Sequence, residues 1–277
     1  MSAAFLLSGG ESSHAENMTL GDWIMHHLQD SNTVWGIHLP TFPPVDIFGV
    51  KVDLSITSNI VMMWLALLVL VVVFKLAYRR KDVVPKGMSG ALEAMVLFVR
   101  DEIAIPNMGK SLGRSLTPFL CSLFFFILTC NLLGLIPGNS TATGNIALTA
   151  ALATVSFVMT QFYGIKENGI GGYLKHLAPS GLPLPMYLII VPIEILGLFT
   201  KPFALAIRLF ANMVAGHTVI FALLGLIIVL GNVAIAAVSV PLAVAINMLE
   251  LFVAFLQAFI FVMLTALFIG MSAHPDH

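Results

Sequence analysis

Read for its apolar and polar positions, the chain divides into long apolar runs separated by short polar punctuation. Runs over about 56–77, 116–136 and 145–164 approach the roughly 20 residues that a helix needs to cross a hydrocarbon core about 30 Å thick. Two further runs, about 186–230 and 233–271, are near twice that length and meet at Gly231-Asn232. Such lengths predict helices that tilt strongly or extend beyond the bilayer, and the short turn predicts an antiparallel hairpin. A different pattern occupies Gly87 to Ile105. Leu92, Met95, Val96, Val99 and Ile103 recur there at helical spacing, while Glu93, Arg100 and Asp101 lie elsewhere on the wheel. Residues 88–105 therefore read as an amphipathic helix, lying at the membrane interface or against a partner. The uncharged loop beginning Pro137-Gly138-Asn139 joins the second and third spans as a hairpin, and 166–185 reads as a polar, Gly-rich connection. The predicted fold class is an all-α integral membrane protein with five transmembrane segments and one amphipathic interfacial helix. Residues 1–55 form an extramembrane segment and 56–277 a single membrane domain. No internal repeat is visible.

Composition supports this reading. With 58% hydrophobic and 10% charged residues, a chain of 277 has too few charges to solvate a globular surface. The net charge of -1 says little about partners; the placement of the cations says more. Lys75, Arg79, Arg80, Lys81, Lys86, Arg100, Lys110 and Arg114 cluster after the first span, and Lys166 and Lys175 fall in the next connection on that side. The loops at 137–144 and 231–232 carry none. Positive-inside then predicts the N-terminus and both bare loops outside and the C-terminus cytoplasmic. Met1 to Gly10 has a short apolar patch without a basic n-region, so no signal peptide is expected, and a bacterial inner membrane fits.

Several apparent motifs carry no chemistry. His14, His26, His27 and His38 lack Cys or carboxylate partners at metal-ligand spacing. Gly109-Lys110-Ser111 resembles the end of a phosphate loop, but Ala104 stands where the first glycine belongs and Pro106 interrupts it. Asn17-Met-Thr19 and Asn139-Ser-Thr141 match a glycosylation pattern short enough to arise by chance. Cys121 and Cys130 lie on opposite sides of one apolar run and read as small core residues. No nucleophile elbow, dinucleotide loop or zinc signature argues for covalent catalysis.

What remains is a sparse polar set in the last two apolar stretches: Glu194, Lys201, Arg208, Asn212 and His217 in the first, Asn247, Glu250 and Gln257 in the second. Ionisable side chains at bilayer depth cost about 2.5 to 3.5 kcal/mol on insertion scales and usually mark an ion path. The bland alternative is that they pair with one another or snorkel, Glu194 and Lys201 most readily. Glu194, Lys201 and Arg208 are spaced by seven, so they drift only about 20° per step and share one helix face, as do Glu250 and Gln257. In an antiparallel hairpin turning at 231–232, positions whose numbers sum to about 465 share a depth, at 1.5 Å per residue. Arg208 is then level with Gln257, and His217 with Glu250. A histidine beside a buried carboxylate makes a proton relay. His217 lies about 180° around the helix from Arg208, so the two need not face one cavity.

The segments Leu205-Ala-Ile-Arg208-Leu-Phe-Ala-Asn212-Met-Val-Ala-Gly216-His217 and Leu256-Gln257-Ala-Phe-Ile-Phe261 resemble subunit a of the F-type ATP synthase membrane sector. The likeness extends to Asn131-Leu-Leu-Gly-Leu-Ile-Pro137, Glu194 and Lys201-Pro202, and is weakest before residue 50. It implies a five-span protein beside a ring of c subunits, with b subunits of a peripheral stalk and lipid as further partners. It implies no cofactor, no metal and no nucleic acid. Two offset half-channels would load and unload a carboxylate on the ring, coupling proton flow to rotation and to ATP synthesis elsewhere in the complex. By that resemblance Arg208 is the barrier between the half-channels, and His217 and Glu250 form the outer relay. Gln257 and Asn212 are its polar lining, Glu194 part of the inner exit, and Asn131 a residue of the outer side. Some relatives carry Glu and His at the two relay positions in the opposite order, an exchange that itself argues for contact. Gly134 stands where some carry Asp, so a less acidic entrance is expected.

Three other readings compete. A secondary transporter predicts an inverted repeat and broken helices at midplane; a redox subunit predicts paired histidine ligands on facing spans, and only His217 lies in a span. A structural anchor predicts no transport at all.

Overall fold

A computed structural model describes residues 33–34, 37–41, 45–47, 50–52, 55–78, 87–136, 141–177, 184–230 and 233–273. The His14, His26 and His27 group, the basic run Arg79-Arg80-Lys81 and the turn at 231–232 lie outside the described residues. Ahead of the first long helix stand two small antiparallel ladders, β1 (Thr33–Val34) with β2 (Ile37–His38) and β3 (Val45–Ile47) with β4 (Val50–Val52). Their short, β-branched pairs were not visible as strands in a segment that reads as polar and mixed. The rest is helical: α1 (Ser58–Ala77), α2 (Met88–Phe98), α3 (Ile105–Gly134), α4 (Ile146–Leu177), α5 (Leu184–Leu230) and α6 (Val233–Ala273). Five stretches among the described residues are long and apolar enough to cross a membrane. The protein is an all-α integral membrane protein.

The amphipathic segment does not stand apart from the second span. α2 passes through a π-helical stretch, Val99–Ala104, directly into α3. Leu92, Val99 and Ile103, three residues of the predicted apolar face, are buried in the chain's own core, with Met95 and Val96 packed against it. The helix uses that face for intramolecular packing and leaves Asp101 and Glu102 exposed. Gly109, the decoy phosphate-loop glycine, is the bend in this long rod: its φ of 77° suits a residue without a side chain. α4 begins on Asn145, whose Oδ1 accepts a hydrogen bond from the Ala147 amide as a helix cap. It runs past the predicted end at Gly164 to Leu177, with a break at Gly169, so much of the expected connection is helix.

At about 1.5 Å per residue, α5 and α6, with 47 and 41 residues, are about 70 and 60 Å long. Lipid offers helices little hydrophobic reason to associate, so close approach and polar contacts must hold them. Both are present. The buried hydroxyls of Ser156 on α4 and Thr265 on α6 are 2.7 Å apart, and Asn168 donates to the carbonyls of Ser272 and Ala273 at the end of α6. Gly270 packs so tightly that a Cβ there would lie 1.9 Å from the Asn107 carbonyl oxygen. Asn131, buried on α3, donates to the Ala254 carbonyl at 3.1 Å and accepts from the Thr143 hydroxyl at 2.8 Å. These contacts fix α6 against α3 and α4, and the α5–α6 hairpin carries the polar groups on that frame.

Candidate functional site

Toward the 231–232 turn, Nδ1 of His217 lies 2.7 Å from Oε1 of Glu250, with side-chain exposures of 13% and 5%. The distance is that of a charge-assisted hydrogen bond, but the two groups lack the alignment of a formed one. It is a close contact rather than a formed hydrogen bond. Neither Glu250 oxygen has a hydrogen-bond partner among the described residues, which makes His217 the one polar group positioned to compensate that carboxylate. The pair that the hairpin register predicts is in contact; further along, Lys201 Nζ sits 5.5 Å from the centre of the Phe268 ring.

Two features beside this pair escaped the sequence. Gly216 contributes an absence. A Cβ there would meet Oε1 of Glu250 at 2.7 Å and its Cδ at 2.8 Å, so the carboxyl reaches the imidazole through a slot that only glycine leaves open. The signal was present, since a small residue next to His217 at the depth of Glu250 marks close helix approach. The other nitrogen of the imidazole, Nε2, lies 2.8 Å from Oγ1 of Thr141 and 3.0 Å from the carbonyl oxygen of Gly134. Both partners come from the far end of α3 and the loop after it.

Toward the opposite end of the hairpin lies a cavity of about 60 Å³, room for a few water molecules. Glu194, Lys201, Ser156, Thr160, Gln161, Tyr173 and Ser272 supply its polar lining. The Tyr173 hydroxyl donates to Oε1 of Gln161. Tyr173 and Gln161 were not anticipated, because Tyr173 falls where the sequence reads as a connection and α4 instead continues.

Arg208 belongs to neither site. Leu205, Ala206, Leu209 and Met213 face the core, which turns Arg208 and Asn212 to the exposed side of α5. The heptad face predicted for Glu194, Lys201 and Arg208 divides accordingly: the first two line the cavity and the third lies outside it. Pro202 sits in the helix between Lys201 and Arg208, where its missing N–H deletes a backbone hydrogen bond. Gln257 is buried at 7% exposure, and no hydrogen bond joins it to Arg208 among the described residues. Asn131 is the cross-brace described above. Along α5, Arg208 lies about 21 Å from Glu194 and about 13 Å from His217, at 1.5 Å per residue. An exposed cation on an apolar surface thus lies, along this helix, between a buried acid–imidazole pair and a polar cavity.

Comparison with known proteins bears on the same stretch. The family model described as ATP synthase A chain matches residues 60–270. The chain is 58% identical over 234 residues to ATP synthase subunit a of Myxococcus xanthus, covering 81% of this chain and 77% of that one. It is 48% identical over 281 residues to the same subunit of Anaeromyxobacter dehalogenans, covering 95% and 72%. It is also 48% identical over 278 residues to ATP synthase subunit a 2 of Chlorobium luteolum, covering 95% and 80%.

Proposed function

The chain belongs to the ATP synthase A chain family, and from that premise we propose that it is the stationary proton path against which a ring of c subunits turns. Protons enter at the 137–144 side through His217 and Glu250, and Asn131 braces that side. They then protonate a carboxylate on the ring. After most of a revolution the carboxyl meets the Glu194–Lys201 cavity and releases its proton to the opposite face. Asn212 and Gln257 supply polar lining near Arg208, and α5 and α6 lie tilted along the ring. The rest of the apolar exterior contacts lipid and the b subunits of a peripheral stalk. The membrane is the inner membrane of a bacterial cell, with the N-terminus outside and the C-terminus cytoplasmic.

Arg208 carries the proposal. Its guanidinium is a planar cation with five N–H donors and no acceptor, and it is exposed on the apolar flank of α5. Left against hydrocarbon it would cost about 2.5 to 3.5 kcal/mol; facing a carboxylate of a partner, it is compensated. The exposed neighbours Ala204, Ala211 and Ala215 leave room for such a partner to come close. A fixed cation there makes an arriving carboxyl give up its proton, and it repels any proton moving straight from one path to the other. Protons must therefore ride the ring. One charge crossing 100 mV supplies about 2.3 kcal/mol, so several must pass for each ATP made.

The test is Arg208→Ala in membrane vesicles carrying the whole complex. Proton-driven ATP synthesis is expected to vanish while the complex still assembles. Coupled synthesis persisting in that variant would overturn the proposal.

A further inference from the structure

The contact between Thr141 and His217 has no part in the pathway so far, yet it extends the imidazole away from Glu250. We propose that Thr141 is the outermost member of the proton relay, handing protons to Nε2 of His217. This rests on the reading that His217 and Glu250 conduct protons.

The two groups at Nε2 differ in what they can do. A backbone carbonyl only accepts, so the Gly134 oxygen at 3.0 Å can hold the imidazole only when Nε2 carries its proton. A hydroxyl both donates and accepts, so Thr141 at 2.8 Å can also donate to Nε2 when that nitrogen is bare. Together they serve both states of the ring: the hydroxyl addresses the empty nitrogen and the carbonyl secures the loaded one. On the opposite edge, Nδ1 faces Glu250 at 2.7 Å. The imidazole therefore stands between a donor and an acceptor, as a proton shuttle requires.

The step balances without other reagents. A hydronium ion in the access water gives its proton to Oγ1 of Thr141, forming one O–H bond, while the original hydroxyl proton leaves to Nε2. Threonine is neutral before and after, and the positive charge resides on the imidazolium. Nδ1 then releases its proton to the Glu250 carboxylate, which leaves the neutral imidazole with its proton on Nε2. Exchange of that proton from Nε2 back to Nδ1, by tautomerisation or a half-turn of the imidazole, restores the bare Nε2 before the next proton arrives. Gly134 is part of the arrangement: a Cβ there would meet Cγ2 of Thr141 at 2.8 Å and Oγ1 at 3.0 Å. Any side chain at 134 would press the hydroxyl away from the imidazole.

The test uses the assembled complex in inverted vesicles, with ATP-driven proton uptake normalised to complex content. Thr141→Val keeps the shape and removes the hydroxyl, and Thr141→Ser keeps the hydroxyl. Uptake is expected to fall at least about tenfold in Thr141→Val and to stay within about twofold of the parent in Thr141→Ser. Parental uptake in Thr141→Val overturns the proposal. So does equal impairment of Thr141→Ser, since packing alone would then explain the residue, and so does failure of Thr141→Val and Thr141→Ala alike to assemble. His217→Ala separates the layers. If it conducts normally, the relay itself is wrong; if it is dead while Thr141→Val conducts, the relay stands and Thr141 is outside it.

Discussion

Gly216→Ala separates stability from conduction with a single methyl group. The added Cβ would lie 2.7 Å from Oε1 of Glu250, 2.8 Å from Cδ and 3.3 Å from Cγ. Ordinary contact begins near 3.4 Å, so the carboxyl must retreat by about 0.7 Å. It is the far end of a flexible side chain and can do so, but the retreat breaks the 2.7 Å approach to His217. For a proton to pass, acid and imidazole must close that contact into a hydrogen bond, and a hydrogen bond to a charged group contributes about 1.5 to 3 kcal/mol, equivalent to roughly 10- to 150-fold in an equilibrium. Helix propensity changes in the opposite sense, since alanine is favoured over glycine by about 1 kcal/mol within a helix. The variant is therefore expected to assemble as well as the parent or better, with ATP-driven proton uptake in inverted vesicles reduced at least about tenfold. Normal assembly together with parental uptake would refute the reasoning, because the close approach of acid and imidazole would then be irrelevant to conduction.

Two further predictions concern the frame. In Gly270→Ala the new Cβ would meet the backbone oxygen of Asn107 at 1.9 Å; no rotamer relieves a clash with backbone, so overpacking of about 1 to 3 kcal/mol or more should lower the yield of assembled complex. An assembled yield equal to the parent's in detergent extracts would contradict the packing of α6 on α3. The buried Thr265 hydroxyl donates to the Phe261 carbonyl, so Ser156, 2.7 Å away, donates to Thr265. Thr265→Val should cost about 1 to 3 kcal/mol by stranding the Ser156 hydroxyl, and Ser156→Ala about 0.5 to 1.5 kcal/mol by removing one bond. The double variant should cost less than the two singles together, a coupling that thermal inactivation of the purified complex would reveal; strict additivity would count against the contact.

How far the sequence reached depended on the kind of constraint. The meeting of His217 with Glu250 was readable because helical rise and a short turn leave two antiparallel helices only one relative depth, and a register follows from residue numbers. Which way a side chain turns is a weaker inference. The predicted face of Glu194, Lys201 and Arg208 divided between cavity and exterior, since Arg208 stands about 21 Å along α5 from Glu194, beyond so small a cavity. Helix ends were misread where glycines stand inside helices: Gly169 and the pair at 171–172 signal a loop, yet α4 continues to Leu177 and brings Tyr173 to the cavity. The partners of Nε2 were beyond reach for another reason. Thr141 and Gly134 lie 76 and 83 residues from His217; one acts through a carbonyl that every residue possesses, and the other sits in a loop without a period. Burial then gives the polar set a division that composition could not. Glu250 and Gln257 are enclosed by the chain's own helices, whereas Arg208 and Asn212 face outward from α5. A buried acid must find its counterpart within the chain, and Glu250 does, in His217. Arg208, an exposed cation on an apolar wall, has no counterpart among the described residues, and that is the observation on which the proposed ring partner rests.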